Sequence, residues 1–439
     1  MFLPLLLIVV AGLSAASVAY GTSPGWIQYP HGLDIIIWSR RLQWPLVALS
    51  LIACIGLVAV VISGRRRAWW LVALAPMLAL FAHRFSTGPA AARLLVSENP
   101  SFVSADQSTV ADDDWIVGLA FGDWVYAYPY SALFHNPVVF QADHDKRFVL
   151  IWSAYANRVL AAPISQELKA PDVEIVSTPA NALLLYNSRR GEFINGLTGQ
   201  TIQRQLPHGF SKSLPIPTSK MPFGQWRDLH PDTKVWARAN SPGEPAPAQP
   251  IMPAWPMPPQ GLERPTQTRV ALIGDANPLA FDSDQLTSAP ANVVADDIPI
   301  LLFRSADTGA VCAFDRRLLD HQGKLDLILH FAANRRHKKF PLAYVIDEGS
   351  NTGWSADGVC VEATGDVKAM KGRRLNRVAV DDALPWGVMK FWYPDLKLEA
   401  LPPAIAGEAD VDDVPATRPV RRRKRKKSEV ENPKAQIRN

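Results

Sequence analysis

Three apolar runs fill the first 85 residues, and they limit the fold more than any other feature, because segments this long and apolar need a bilayer or a protein core around them. Phe2 to Tyr20 is 19 residues without a charge, and Trp44 to Ser63 is a second uncharged run of 20. Either is long enough to cross a bilayer as a helix. The third, Ala68 to His83, is shorter and carries Pro76, which a bilayer helix tolerates when neighbours re-satisfy the freed carbonyl. The sequence therefore predicts an α-helical membrane segment over residues 1–90 with three spans, 2–20, 44–63 and 68–83. A secretory signal peptide is the other reading of the first run, since small residues crowd Ser14 to Gly21, but no Lys or Arg precedes its apolar core.

Arg65, Arg66 and Arg67 connect the second and third runs, and such a knot prefers the cytoplasm, which would leave the large remainder of the chain outside. Arg40, Arg41, Arg84 and Arg93 would then lie on the exoplasmic side, so charge counting alone leaves the orientation open.

The overall charge of +5 does not describe the body: from Arg418 onward ten Lys/Arg stand against two Glu, a surplus of eight that leaves the rest at −3. A polyanion groove in the body is thereby disfavoured, and specific nucleic-acid binding with it. The basic run Arg421, Arg422, Arg423, Lys424, Arg425, Lys426, Lys427 is expected to be a disordered tail, within residues 401–439, that meets anionic lipid or polymer.

From Asp114 the pattern changes to short strand-like runs, among them WIVGLAF, WVYAYPY, PVVFQA, RFVLIW and ALLLY, broken by Gly, Pro, Asn and Asp. Residues 222–229 read as one short helix ended before Pro231. Nine prolines between Ala239 and Thr268 mark a stiff extended linker, after which strand-like runs resume as RVALIG, IPILLF, AVCAFD and LDLILHF. The two flanking bodies, 112–238 and 269–400, read as copies. Met221-Pro-Phe-Gly followed by His230-Pro-Asp-Thr-Lys-Val returns as Leu384-Pro-Trp-Gly followed by Tyr393-Pro-Asp-Leu-Lys-Leu at a constant offset of 163. Upstream the offset drifts, as loop insertions would make it: Ala127-Tyr128 answers to Ala280-Phe281, and Gly199 to Gly358. The expected fold is thus a transmembrane helical segment followed by a mainly-β, α+β soluble body made of two tandem copies of one domain.

The segments Asp113-Asp-Trp-Ile-Val-Gly118, Ala127-Tyr-Pro129, Leu197-Thr-Gly199 and His230-Pro-Asp-Thr233 resemble the bacterial domain-of-unknown-function family 3179, well over residues 113–236 and weakly over 270–398. The resemblance implies an exported or membrane-tethered protein at the bacterial inner membrane, its body exoplasmic. The family pattern has a Cys-Pro-Leu-Cys motif after a strand and a His-Glu pair upstream. An ungapped alignment puts Ser153-Ala-Tyr-Ala156 on the thiol motif and Asn136-Pro137 on the pair; in the second body Ser305-Ala-Asp-Thr308 takes the motif's place. Both thiols are gone from both copies, and a serine hydroxyl cannot supply the thiolate that such chemistry needs.

If a pocket persists where the resemblance sets the reactive loop, its polar groups are Asn136, Ser153, Tyr155, Asn157 and Arg158, with Ser305 and Thr308 in the second body; the bland alternative is a plain turn. His135 and His144 are too loosely related to fix a metal geometry, and His230 answers to Tyr393, which favours packing over chemistry. Cys312 and Cys360 pair as a disulfide or stay as buried thiols, according to compartment. No P-loop, dinucleotide fingerprint, HExxH, GxSxG or paired CxxC occurs, so no cofactor is expected. The reading favoured is a membrane-anchored envelope protein with a duplicated, non-catalytic domain for a ligand or partner; the alternative is an envelope enzyme, thiol-redox in type, using Cys312 and Cys360 or groups around Ser153.

Overall fold

The structure is a computed structural model, and it describes residues 2–22, 32–63, 68–87, 94–121, 124–143, 146–202, 215–237, 269–274, 278–319, 325–333 and 340–402. The linker 239–268, the basic tail, Arg65 to Arg67, Arg93, His144 and the Tyr155 side chain lie outside the described residues.

Helices Phe2–Tyr20 and Gln43–Ser63 are long and apolar enough to cross a membrane, with mean hydropathies of 2.4 and 2.9. Such N-terminal helices serve as a membrane anchor or a signal sequence. The third run is not one continuous α-helix. It opens as a six-residue 3₁₀ helix, Ala68–Ala73, and continues as the 14-residue α-helix Leu74–Thr87 with Pro76 in its first turn, where a residue without an N–H breaks no helical bond. Ala11 and Ala15 bury against Ala53 and Met77, and the three alanines let the helices approach closely. Ser50 Oγ donates to Ala11 O at 3.1 Å, and Arg84 Nε donates to Val18 O at 3.3 Å.

Between the two long helices lies a further helix, Gly32–Arg41, which the periodicity of the runs does not announce. Asp34 in its first turn and Arg40 and Arg41 in its last complement the helix dipole. Ile36 and Ile37 are fully buried against Val176, Ala180, Leu184 and Phe193 of the body. Arg40 pairs with Glu174 and lies over the Tyr186 ring, Arg41 lies over Phe193, and Ser177 Oγ donates to Thr22 O at 2.8 Å. The body is therefore seated on the connection between the first two long helices.

The body is mainly β, in two lobes. The first is built on a five-stranded sheet in the order Thr218–Pro222, Trp115–Phe121, Trp124–Pro129, Lys234–Trp236, Phe102–Ser104. Helix Phe223–Leu229 carries the chain from one edge across the sheet, so that Lys234–Trp236 pairs parallel to Trp124–Pro129, as a crossover requires. It packs through Trp226 onto Gly118, where a Cβ would stand 2.5 Å from the indole. Only glycine lets helix and sheet close at this point. The acidic turn at 112–114 is used up here: Asp112 O and Asp114 O accept from Gly224 N and Phe223 N, and the Asp112 carboxylate pairs with Arg227.

The second lobe has a sheet in the order Val380–Pro385, Arg269–Ile273, Leu279–Asp282, Leu398–Glu399, with the same antiparallel and parallel pairings and helix Trp386–Trp392 in the crossover. In each lobe an antiparallel meander follows: Val138–Asp143, Lys146–Ser153 and Arg158–Pro163 in the first, Ala291–Ala295, Ile298–Arg304 and Val311–Asp315 in the second. A further four-stranded sheet completes each, and the turns before their last strands hold Gly199 at φ 71° and Gly358 at φ 72°. Strands Val96–Glu98 and Phe102–Ser104, ahead of the expected start at 112, pair into the first lobe's sheets.

Candidate functional site between the lobes

Strand Lys146–Ser153 ends in the turn Ala154–Ala156, and Asn157, in the left-handed region at φ 50°, sends the chain straight back as Arg158–Pro163. Asparagine enters that region more readily than most residues other than glycine. The loop is sealed. Ser153 is 1% exposed and its Oγ accepts from Leu183 N at 3.1 Å. Ala156 is fully buried in a cluster shared with Leu384, Trp386 and Val388 of the second lobe. Asn136 Nδ2 donates to Ala132 O at 3.3 Å, finishing the short helix Tyr130–Leu133. In the second lobe Ser305 Oγ accepts from Thr308 N and Thr308 Oγ1 from Ala310 N, so both hydroxyls serve a hairpin turn that Gly309 closes at φ 69°.

Asn157 and Arg158 instead meet the second lobe's strand Val380–Pro385. Asp381 pairs with Lys220 and lies 3.9 Å from Arg158 Nε, and all three side chains are more than nine-tenths buried. Asp381 Oδ2 also accepts from Val159 N at 2.7 Å. Lys220 Nζ donates to Asn157 O at 2.7 Å and Asp382 O at 2.6 Å, and Asn157 Nδ2 to Ala383 O at 3.3 Å. Ala383 stands at φ 59°, beside an irregularity in the strand pairing, and this turns its carbonyl to the first lobe. Asp382 faces the other way, accepting from Ser283 Oγ and from Arg304. Behind the network the Tyr130 hydroxyl is pushed well above its ordinary range, first by burial and then by the Asp381 charge.

Beside this network a cleft of about 400 Å³ opens across the lobe joint. Val159, Ala161 and Ile216 wall it on one side, Leu272, Ile298, Ile300 and Val378 on the other; Arg158, Arg317, Arg377, Asp296, Asp315 and Asp381 supply its polar groups. Arg317 is held in a fork by Asp315, at 2.9 and 2.7 Å. Arg377 donates to Ser219 Oγ at 2.8 Å. Next to Arg377, His230 has its pKa lowered, first by burial and then by that guanidinium. Of the residues that the sequence singles out, Arg158 lines the cleft, whereas Asn136, Ser153, Asn157, Ser305 and Thr308 do not. Lys220, Asp381 and Arg377 escape sequence reasoning. Their one signal is a charge set within or beside a strand that leads into the recurring Pro-aromatic-Gly element.

Cys312 and Cys360 are free thiols within one apolar cluster, and burial raises the pKa of each, which keeps both protonated at neutral pH. Among the described residues no group of three His, Cys, Asp or Glu side chains is placed to hold a metal ion.

Fold and site together define a chain with apolar N-terminal helices joined to a mainly-β, two-lobed body with a cleft at the joint. It belongs to the DUF3179 family, described as a protein of unknown function, whose family profile matches residues 96–395. The match runs through both lobes and the linker between them, further than the stretch 113–236 that carries the resemblance best. No curated protein and no solved structure matches the chain.

Proposed function

We propose that this is a membrane-anchored, non-catalytic binding protein of the bacterial envelope, whose small-molecule ligand sits in the cleft between two lobes derived from one duplicated domain. The observation that carries the reading is the contrast between that cleft and the sealed loop at 153–157. The open, mostly apolar cavity has the size of small-molecule sites, about 300–1,000 Å³. The loop that the family resemblance sets on the thiol motif has neither a thiol nor room for a substrate. Duplication is supported by the matching sheet orders, by crossover helices at the same place in each, and by the two positive-φ glycines at corresponding turns.

The body faces outward from the cytoplasmic membrane in this reading. Three passes of the chain return Thr87 to the end of the bundle where the first helix stops, the end on which the body is seated, and leave Ser63 at the other; the arginine run that follows Ser63 in the sequence favours the cytoplasm for that end. The arginines that count against this orientation are largely engaged: Arg40 by Glu174, Arg41 by Phe193 and Arg84 by Val18 O. The basic tail adds contact with anionic lipid or polymer at the same face.

Lys371 is exposed on the second lobe, so Lys371→Cys reports orientation. A membrane-impermeant maleimide is expected to label it in intact cells stripped of their outer membrane; labelling only after lysis rejects the outward body. Stripping bound small molecules from the purified full chain is expected to lower its unfolding temperature, and Ala379→Trp, which fills the cleft from half-buried Ala379, is expected to abolish that drop.

A further inference from the structure

Resting on the cleft as the binding site, we infer that its ligand is an aliphatic monoanion whose charged group is taken by Arg377 while its chain lies between the two apolar walls. The charges around the cleft are unequal. Lys220, Arg158, Arg317 and Arg377 stand in or directly behind its lining, against Asp381, Asp315 and Asp296. Asp381 serves Lys220 and Arg158 together, and Asp315 holds Arg317 through both of its oxygens. Arg377 is the exception: its guanidinium donates to the neutral Ser219 hydroxyl, and among the described residues it has no ion pair. It is half-buried at the lobe joint, so a desolvated anion there would gain a charge-assisted bond that no protein carboxylate already supplies.

The remaining lining decides the rest of the ligand. With Asp381 committed to Lys220 and Arg158 and Asp315 to Arg317, Arg377 is, among the described residues of the lining, the cation left for a ligand, so the cleft matches one negative charge and gives a second no partner. Val159, Ile216, Leu272, Ile298, Ile300 and Val378 offer no hydrogen bonds from their side chains, and they favour an aliphatic body over a sugar or a nucleotide. The chemistry on offer is one carboxylate-like head on a hydrocarbon chain.

The test uses the full chain in nanodiscs of zwitterionic phosphatidylcholine, titrated calorimetrically with octanoate, octan-1-ol and octylammonium, with empty nanodiscs subtracting partition into lipid. Octanoate is expected to bind saturably and at least about tenfold more tightly than octan-1-ol, the usual margin of a hydrogen bond to a charged group, and octylammonium least of all. Arg377→Gln is expected to bring octanoate down to the level of octan-1-ol and leave octan-1-ol unchanged; Arg377→Lys, which keeps the charge, is expected to retain part of the preference. Equal binding of octanoate and octan-1-ol by the unaltered chain, with both lost in Ala379→Trp, overturns the monoanion and keeps the cleft. No saturable binding of any of the three, or binding that Ala379→Trp leaves intact, overturns the cleft itself.

Discussion

Asp381 serves Lys220, Arg158 and the Val159 N–H at once, in a place where none of the three charged side chains reaches water freely. Such a group is costly to expose and costlier to remove, since each lost partner strands a buried charge. Asp381→Asn is therefore expected to lower stability by about 3–5 kcal/mol, measured as the free energy of urea unfolding of the full chain in detergent. Lys220→Met in addition is expected to recover part of that loss, because it removes the stranded cation. His230 sets a pH dependence at the same joint, among Arg377, Asp357 and Arg374 and against Trp226, whose ring centroid is 4.2 Å away. Its folded pKa lies below the ordinary 6.5, so the neutral form is favoured in the native state. This contribution is whole above pH 6.5 and declines as the pH falls below that value toward the folded pKa. His230→Tyr, the residue in the corresponding position of the second lobe, is expected to lose less stability than the unaltered chain between pH 7.5 and 5.5. An equal loss in the two would contradict the role given to His230.

At the scale of elements, the crossover helix depends on the gap above Gly118. Gly118→Ala drives a methyl group into the buried Trp226 ring and is expected to cost about 1–3 kcal/mol, whereas Gly349→Ala, with only a carboxylate oxygen at 3.7 Å, is expected to be nearly neutral by thermal denaturation. Most of these elements are legible in the sequence. The runs WIVGLAF, RFVLIW and IPILLF are strands because their apolar residues are continuous or alternate between turn residues, and Pro222 and Pro231 bracket the helix Phe223–Leu229 as their places in the sequence predict. The helix Gly32–Arg41 is not legible, since Leu33, Ile36 and Ile37 make an apolar stripe too short to stand out before its partners on the body are known. The third apolar run is legible as helical but not in its form, a six-residue 3₁₀ helix that passes into an α-helix of 14 residues with Pro76 in its first turn. The site was the least legible part. The Ser153 hydroxyl is taken by Leu183 N thirty residues away and that of Ser305 by a local turn, while Lys220 meets Asp381 across more than 160 residues, a pairing that no local period encodes.

For the whole molecule, the helix Gly32–Arg41, the Thr22 carbonyl and the Arg40–Glu174 pair hold the first lobe to the apolar bundle, and the first lobe holds the second through the Asp381 network and the cluster around Trp386. The cleft lies at the second of these joints, so a ligand there bridges the lobes and stabilises the arrangement by mass action. Native mass spectrometry of the full chain, released from its own membranes in mild detergent, tests this most directly. The account predicts a bound small molecule on the unaltered chain, detached as a singly charged anion, and its absence from Ala379→Trp; the same adduct on both proteins, or none on either, would contradict it.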